Sequence, residues 1–130
     1  MEHDVNAWVE GYVRAWNSND PEDIRGLFSE DARYFTEPYA DPWLGRQAIV
    51  DGWLKHKDEP GQTSFEWNTL VVTPDVAVVE GRTEYHVEPP RTYRNLWQIR
   101  LDGEGRCAEF TEWWMKEPDP RNAGGPSAEG

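Results

Sequence analysis

Residues 63–115 read TSFEWNTLVVTPDVAVVEGRTEYHVEPPRTYRNLWQIRLDGEGRCAEFTEWWM, and this stretch decides the fold class. Apolar and polar residues alternate along much of it, which is the period of a β-strand with one buried face. Short segments rich in Pro, Gly, Asp and Glu interrupt the alternation three times, each with the length of a hairpin turn. The stretch therefore predicts four consecutive antiparallel strands, at residues 63–72, 76–87, 92–101 and 107–115.

The residues before this stretch have the periodicity of helices. Trp8, Tyr12 and Trp16 recur every four positions, which places them on one face of a helix predicted over residues 4–17. Asp20 is a candidate N-cap for a short second helix, because its carboxylate can accept a hydrogen bond from a free backbone N–H of the first turn. Both helices are expected to pack an apolar face against the sheet.

A third helix is predicted over residues 45–57, after a brief strand at 31–36 and a loop at 37–44. Helices followed by a run of strands are typical of an α+β domain. The chain of 130 residues has the length of one domain, which we place at residues 1–117. Residues 118–130 are rich in Pro and Gly and poor in apolar side chains, and we expect a disordered tail there.

The charge of the chain excludes some classes of partner. It has 25 acidic and 13 basic residues and a net charge of −12. Nucleic acids and anionic membranes are bound through clusters of cations, which the sequence lacks, so we expect neither as a partner. No apolar run approaches the roughly 18 to 20 residues of a membrane-spanning helix, and the acidic N-terminus lacks a signal-peptide core, so a cytoplasmic protein is expected. Cys107, the single cysteine, is expected to be a small buried side chain in a strand.

Three short segments resemble those of one superfamily, in the same order along the chain. Residues 12–20, YVRAWNSND, resemble its first helix and the exit from it. Residues 27–32, LFSEDA, resemble the entry into its first strand, and residues 45–49, GRQAI, resemble the start of its third helix. On these segments the chain resembles the nuclear transport factor 2-like, or SnoaL-like, superfamily. The resemblance implies a cystatin-like cone, in which three N-terminal helices pack on a strongly curved antiparallel sheet and enclose a small-molecule pocket. It also implies a homodimer formed through the convex face of the sheet.

Members of this superfamily differ in activity, so the fold does not choose one. They include ketosteroid isomerases, polyketide cyclases, dehydratases, epoxide hydrolases and non-catalytic binding domains. Compared with ketosteroid isomerase, Tyr12 matches the tyrosine of the first helix. The base aspartate, however, falls near Thr36 or Glu37, and the second acid of the oxyanion hole falls on Trp97. The resemblance therefore does not support that isomerase chemistry, although it implies that Trp97 faces the cavity.

The alternation of a strand extends this assignment to neighbouring positions. Asn95 would face the cavity from the strand of Trp97, and Phe110, Glu112 and Trp114 would face it from the last strand.

The strand at residues 76–87 has two candidate inner faces. One is polar and consists of Glu80, Arg82, Glu84 and His86. The other is more apolar and consists of Ala77, Val79, Gly81, Thr83, Tyr85 and Val87. Burial favours the apolar set inside, but a dimer through the convex face would bury that set as well. We therefore favour the polar set inside.

The polar register leads to a hypothesis for catalysis. His86 would act with Glu84 or Glu112 as base and acid, because a buried charged network shifts pKa values toward the range of proton transfer. Tyr12 would donate a hydrogen bond to a substrate oxygen, and Arg82 would stabilise developing negative charge. The side chains predicted to bind substrate are Trp16, Tyr34, Trp53, Asn95, Trp97, Phe110 and Trp114.

Two classes of function stay open. The first is a cofactor-independent enzyme that isomerises, cyclises, dehydrates or hydrates a hydrophobic, oxygenated small molecule. The second is a non-catalytic ligand-binding or dimerisation domain, because an alternating polar strand is also typical of a solvated face with ion pairs between strands. Glu84, His86 and Glu112 form a candidate metal-ligand set, but the sequence has no metal-binding motif, so no metal is expected.

Overall fold

The computed structural model describes residues 2–57, 59 and 61–118, with side chains from Asp4 onward. Apart from Pro118, the predicted tail lies outside the described residues. Three helices and six strands follow one another in the order α1 Glu2–Ser18, α2 Pro21–Arg25, β1 Phe28–Phe35, β2 Trp43–Leu44, α3 Arg46–Lys55, β3 Thr63–Val72, β4 Ala77–Tyr85, β5 Arg91–Leu101 and β6 Cys107–Lys116.

The six strands form one curled, unclosed sheet in the order β2-β1-β6-β5-β4-β3. β3 to β6 are the predicted antiparallel meander, and β2 pairs antiparallel with β1. β1 adds to the far side of β6 in parallel, with Phe28 opposite Cys107. The α+β cone, with helices on a strongly curved sheet, is thereby confirmed. In the described part of the chain, no helix has both the length and the apolar character needed to cross a membrane.

The aromatic stripe of α1 packs into the concave face of the sheet. Trp8 and Tyr12 are buried, and the Trp8 indole N–H donates to the Leu27 carbonyl oxygen at 2.8 Å. Phe28 and Phe110 lie beneath them, without solvent exposure. Burying rings of this size removes a large apolar area from water, so a short chain obtains a stable core from few residues.

Local sequence signals account for the ends of the shorter elements. Asp20 caps α2 as predicted, accepting a hydrogen bond from the Glu22 backbone N–H at 2.9 Å.

Two further positions test the sequence predictions. Cys107 is fully buried as predicted, and burial raises the pKa of its thiol well above the ordinary value. β2, at Trp43–Leu44, falls in a segment for which the sequence predicted a loop.

The predicted inner face of β4 is wrong. Ala77, Val79, Gly81 and Thr83 are buried, whereas Glu80 is exposed. The predicted inward set Glu80, Arg82, Glu84 and His86 therefore lies on the outer face or beyond the end of the strand. Burying several charged side chains costs more free energy than burying the apolar alternative, and the apolar set accordingly packs on the core.

Several charged residues of the outer face are paired with one another. Arg82 binds Glu84 at 2.6 Å and Glu117 at 3.2 Å, and Arg94 approaches Glu117 at 3.7 Å. His86, in the loop after β4, has its Nε2 atom 3.2 Å from the Ser64 hydroxyl oxygen. These contacts lie on the solvent side of the sheet, and those of Glu117 and Ser64 connect different parts of it.

Two glycines make room for the aromatic side chains of the concave side. A Cβ atom on Gly52 of α3 would lie 2.6 Å from the Trp43 ring. A Cβ atom on Gly81 of β4 would overlap the Phe65 ring, which stacks on Trp97 with a centroid distance of 4.8 Å. Both contacts are too close for any side chain larger than hydrogen, so glycine at these two positions fixes where the rings lie.

Candidate functional site

A cavity of about 330 Å³ lies between the concave face of the sheet, α1 and α3. Its deep end contains polar groups, its walls are aromatic, and its mouth is open to solvent. The lining side chains are Tyr12, Trp16, Tyr34, Thr36, Trp43, Trp53, His56, Lys57, Thr83, Tyr85, Tyr93, Asn95, Trp97, Glu112 and Trp114. A concave, mostly apolar space with a few polar groups is typical of a small-molecule site.

Glu112 of β6 is the one carboxylate among the described lining residues. Burial raises the pKa of its carboxyl from 4.5 to about 7, partly opposed by hydrogen bonding to Asn95 and by the nearby Trp97 indole. A carboxyl with that pKa exists in both protonation states near neutral pH. It can therefore give a proton to a ligand or accept one from it.

A chain of side-chain hydrogen bonds holds the Glu112 carboxyl in place. The Thr83 hydroxyl donates to the Asn95 amide oxygen at 2.7 Å, and the Asn95 amide nitrogen donates to a Glu112 carboxyl oxygen. Because the threonine hydroxyl occupies the amide oxygen, the Asn95 NH₂ group is the part that faces Glu112. Three neighbouring strands, β4, β5 and β6, each contribute one member of the chain.

Tyr12 of α1 and Tyr34 of β1 meet at the same end of the cavity. Their hydroxyl oxygens are 2.6 Å apart, so one hydroxyl donates to the other and the acceptor keeps its own proton for a ligand. Burial raises the pKa of both phenols well above the ordinary value, and the Glu112 carboxylate raises them further. Both tyrosines therefore stay neutral hydrogen-bond donors at physiological pH.

The Trp97 indole supplies one more donor. The side chain is only 1% exposed, and its Nε1 atom has no hydrogen-bond partner in the described structure. The N–H lies close enough to Glu112 to lower the pKa of that carboxyl, but not in the geometry of a hydrogen bond. A buried donor without a partner costs free energy, which an acceptor oxygen of a ligand in the cavity would recover.

One aromatic wall connects the deep end with the mouth. Trp43 stacks on Tyr34 at a centroid distance of 4.9 Å and on the His56 ring at 6.1 Å, both nearly parallel. On the opposite side, Tyr93 meets Trp114 edge to face at 5.8 Å. The walls favour a hydrophobic ligand with flat unsaturated portions, because such groups stack on aromatic rings.

The structure brings together most of the side chains that the sequence assigned to the site. Tyr12 and Glu112, both predicted to be catalytic, line the cavity. The predicted substrate-binding residues that line it are Trp16, Tyr34, Trp53, Asn95, Trp97 and Trp114.

Four predicted site residues lie elsewhere. Arg82 and Glu84 pair with each other on the outer face, and His86 contacts Ser64 there, so none of the three reaches Glu112 across the sheet. Phe110 is fully buried in the core, where it stacks on Tyr34 and Tyr12 behind the cavity wall. The prediction that Phe110 contacts a ligand is therefore wrong. The prediction that His86 and Glu112 form an acid–base pair is also wrong.

Several lining residues were not predicted as part of the site. The alternation of β4 contained a signal for three of them. If its apolar face points inward, Thr83 and Tyr85 line the cavity, and the pairing with β5 adds Tyr93 opposite Thr83. Trp43 lies in a segment with no periodic pattern, and nothing in the sequence placed it. His56 and Lys57 follow the last turn of α3, where sequence alone predicts only a surface position.

No three His, Cys, Asp or Glu side chains converge as metal ligands within the described ranges, 2–57, 59 and 61–118. The candidate set Glu84, His86 and Glu112 is divided between the two faces of the sheet. Ser64 and His86 resemble the first two members of a catalytic triad, but Glu84 contacts the serine instead of the imidazole. That cluster therefore lacks the carboxylate that orients the histidine.

The SnoaL-like domain family matches residues 9–117, which is most of the chain. The chain belongs to the SnoaL-like domain family. No curated protein matches this SnoaL-like domain.

Three solved structures share the fold at low identity. The epoxide hydrolase/cyclase-like enzyme SalBIII, described for its role in pyran ring formation in the polyether salinomycin, is 17% identical, with a TM-score of 0.69 over 88% of this chain and 92% of that chain. An NTF-2 like protein of unknown function from Burkholderia xenovorans LB400 is 12% identical, with a TM-score of 0.71 over 91% and 88%. An M. tuberculosis LEH-like epoxide hydrolase is 12% identical, with a TM-score of 0.65 over 87% and 84%. At these identities the similarity establishes the fold of the SnoaL-like domain and leaves its reaction to the site itself.

Proposed function

We propose that this SnoaL-like domain is a cofactor-independent enzyme that moves a proton on a hydrophobic, oxygenated small molecule. The reaction class is isomerisation, cyclisation, dehydration or hydration. The observation that carries the proposal is the Glu112 carboxyl, with a pKa raised to about 7, facing an aromatic cavity of about 330 Å³. General acid–base catalysis is most effective when the catalytic pKa lies near the working pH.

The arrangement assigns a separate task to each polar group. Glu112 transfers the proton, and Asn95 holds its carboxyl in one orientation. The neutral hydroxyls of Tyr12 and Tyr34, together with the Trp97 N–H, are donors for a substrate oxygen on which negative charge develops. Fixed donors in a cavity with little water stabilise such charge without having to reorganise.

The similar structures support this reaction class. One is called an epoxide hydrolase/cyclase-like enzyme and another an LEH-like epoxide hydrolase. Opening an epoxide, whether by water or by a hydroxyl of the same molecule, takes a proton from the attacking oxygen and gives one to the leaving oxygen. A single carboxyl that is populated in both states near neutral pH is suited to either transfer.

Exchange of the α-protons of 2-tetralone in D₂O tests the proposal without knowledge of the natural substrate. The ketone is flat, hydrophobic and has one acceptor oxygen, so it fits the chemistry of the cavity. We expect the protein to accelerate exchange above the buffer rate, with a rate that rises with pH through about 7 as Glu112 ionises to the base form. NMR measures the loss of the proton signal directly.

The matched control compares two glutamates of the same sheet. Glu112→Gln is expected to reduce exchange to the buffer rate, whereas Glu80→Gln, on the exposed outer face, is expected to retain the wild-type rate. Equal rates for wild type and Glu112→Gln contradict the proposal. Binding of the ketone without acceleration of exchange would favour the second class, a non-catalytic ligand-binding domain.

We also propose a homodimer through the outer face of the sheet. Trp113 and Met115 of β6 are 46% and 72% exposed, and together with Leu96 they line a shallow groove on that side. Large apolar side chains exposed together are typical of an interaction surface. Sedimentation equilibrium is expected to give a dimer for the wild type and a monomer for Trp113→Lys, and a wild-type monomer at micromolar concentration contradicts this proposal.

A further inference from the structure

Two basic side chains line the mouth of the cavity, although the chain as a whole is acidic. The chain has a net charge of −12, yet His56 and Lys57, which follow α3, both line the mouth. Glu112 is the one acidic group among the described lining residues, and it lies at the deep end beside Trp97. A local basic site on an acidic protein selects the ligands that can approach it.

The Lys57 side chain is exposed and lines the cavity. In the part of the chain that the structure describes, it has no carboxylate within ion-pair distance, whereas six arginines there have one. Lys57 lines the same cavity as Trp43 and His56, whose rings stack on each other. The flexible stem of a lysine allows the charge to meet an anionic group at the rim while the rest of a ligand lies on that wall.

The deep end of the cavity contains hydrogen-bond donors and therefore favours a different part of the same ligand. The Trp97 N–H is buried without a partner, and Tyr12 and Tyr34 have one hydroxyl proton beyond their mutual hydrogen bond. These donors favour an acceptor oxygen on the ligand, and the aromatic walls between them and the mouth favour an apolar body. The cavity therefore distinguishes the two ends of an elongated molecule.

We propose that the natural ligand is a hydrophobic molecule with a carboxylate at one end, which Lys57 binds at the mouth, and with its reacting oxygen at the other end beside Glu112. The placement of the reacting oxygen beside Glu112 rests on the proposed function. The carboxylate site at Lys57 does not, because it requires binding and no reaction. An ion pair in contact with solvent contributes little to affinity, so Lys57 acts on selectivity. We expect a preference of about two- to fivefold for the anion over an uncharged analogue.

The experiment compares two probes of similar shape, 6-hydroxy-2-naphthoate and its uncharged methyl ester. Quenching of tryptophan fluorescence reports binding, because four tryptophans line the cavity besides the buried Trp97. We expect the anion to bind about two- to fivefold more tightly than the ester to the wild type, and the preference to decline as salt is added. Lys57→Gln is expected to abolish the preference while leaving the affinity for the ester unchanged.

Lys55→Gln is the matched control, because Lys55 ends α3 two residues earlier, is exposed, and does not line the cavity. It is expected to retain the wild-type preference. Equal binding of the two probes to the wild type, tighter binding of the ester, or the same loss of preference in both lysine variants would overturn the proposal. None of these results depends on proton exchange, so a failure here is distinct from a failure at Glu112.

Discussion

The two faces of the sheet formed by β4, β5 and β6 place the same residue type in opposite surroundings. On the outer face, Glu84, Glu109 and Glu117 each lie against at least one arginine, in contact with solvent. On the inner face, Glu112 lies against the Asn95 amide and aromatic rings, and burial raises the pKa of its carboxyl to about 7. A guanidinium favours the charged carboxylate, whereas an apolar cavity favours the neutral acid. The surroundings, not the residue type, therefore make one glutamate of this sheet suited to proton transfer.

The largest expected difference between the two faces concerns their tryptophans. Trp97→Ala would remove a fully buried ring that contacts Tyr12, Phe65 and Phe110, and is expected to lower the free energy of unfolding by about 3–5 kcal/mol. Trp113→Ala, on the outer face, is expected to cost much less when unfolding is measured on the monomer, because nearly half of that side chain is exposed there. Urea denaturation measures both values, and similar losses would contradict the assignment of inner and outer faces.

The next effect is a dependence of stability on pH that Glu112 introduces. Because its pKa in the folded protein is about 7 and its ordinary value is 4.5, the folded state binds a proton more tightly than the unfolded state. The associated stability is fully present below the ordinary value and is lost as the pH rises through about 7. The loss is about 3 kcal/mol from the conversion of 1.36 kcal/mol per pKa unit.

Glu112→Gln cannot ionise and is expected to remove this loss. The variant should gain stability relative to the wild type between about pH 5 and about pH 8, with little difference below that range. Chemical denaturation at a series of pH values gives the comparison. A constant difference across the series would mean that the carboxyl titrates normally in the folded protein.

The smallest expected effect is a loss of stability when the space that Gly81 leaves for the Phe65 ring is filled. Gly81→Ala would push a methyl group into the Phe65 ring and is expected to lower the free energy of unfolding by about 1–3 kcal/mol. Gly103→Ala, in the turn between β5 and β6, meets no atom within 4 Å and is expected to be nearly neutral. Equal effects of the two substitutions would show that the inner face does not pack Phe65 against β4.

The order of helices and strands was predictable because local signals agree with the fold. The stripe of Trp8, Tyr12 and Trp16, the Asp20 cap and the alternation in β5 and β6 each predicted what the structure contains. Trp97 lines the cavity as the resemblance implied, and Trp114 lines it as strand alternation then predicted. The helices and the Asp20 cap are determined by periodicity and hydrogen bonds that act within a few residues of one another.

The inner face of β4 was mispredicted because a dimer was expected to bury the apolar set on the convex face, and because the turn before β5 was placed at residues 88–91. A four-residue turn at residues 88–91 would bring Arg82 opposite Trp97, whereas the actual loop runs from His86 to Pro90 and brings Val79 opposite Trp97. A shift of one residue exchanges the two faces of a strand. The contribution of Trp43 to the cavity depends on contacts with α3 and β1 that are distant in sequence, and no local pattern encodes them.

The most direct test of this account is the pKa of Glu112 in the folded protein. The ¹³C shift of its side-chain carboxyl, assigned by its absence in Glu112→Gln, can be followed by NMR during a pH titration. We predict a midpoint at about 7, because burial of the carboxyl disfavours its charged form. A midpoint near the ordinary value of 4.5 would contradict the account, since Glu112 would then be an ordinary solvated carboxylate without a role in proton transfer.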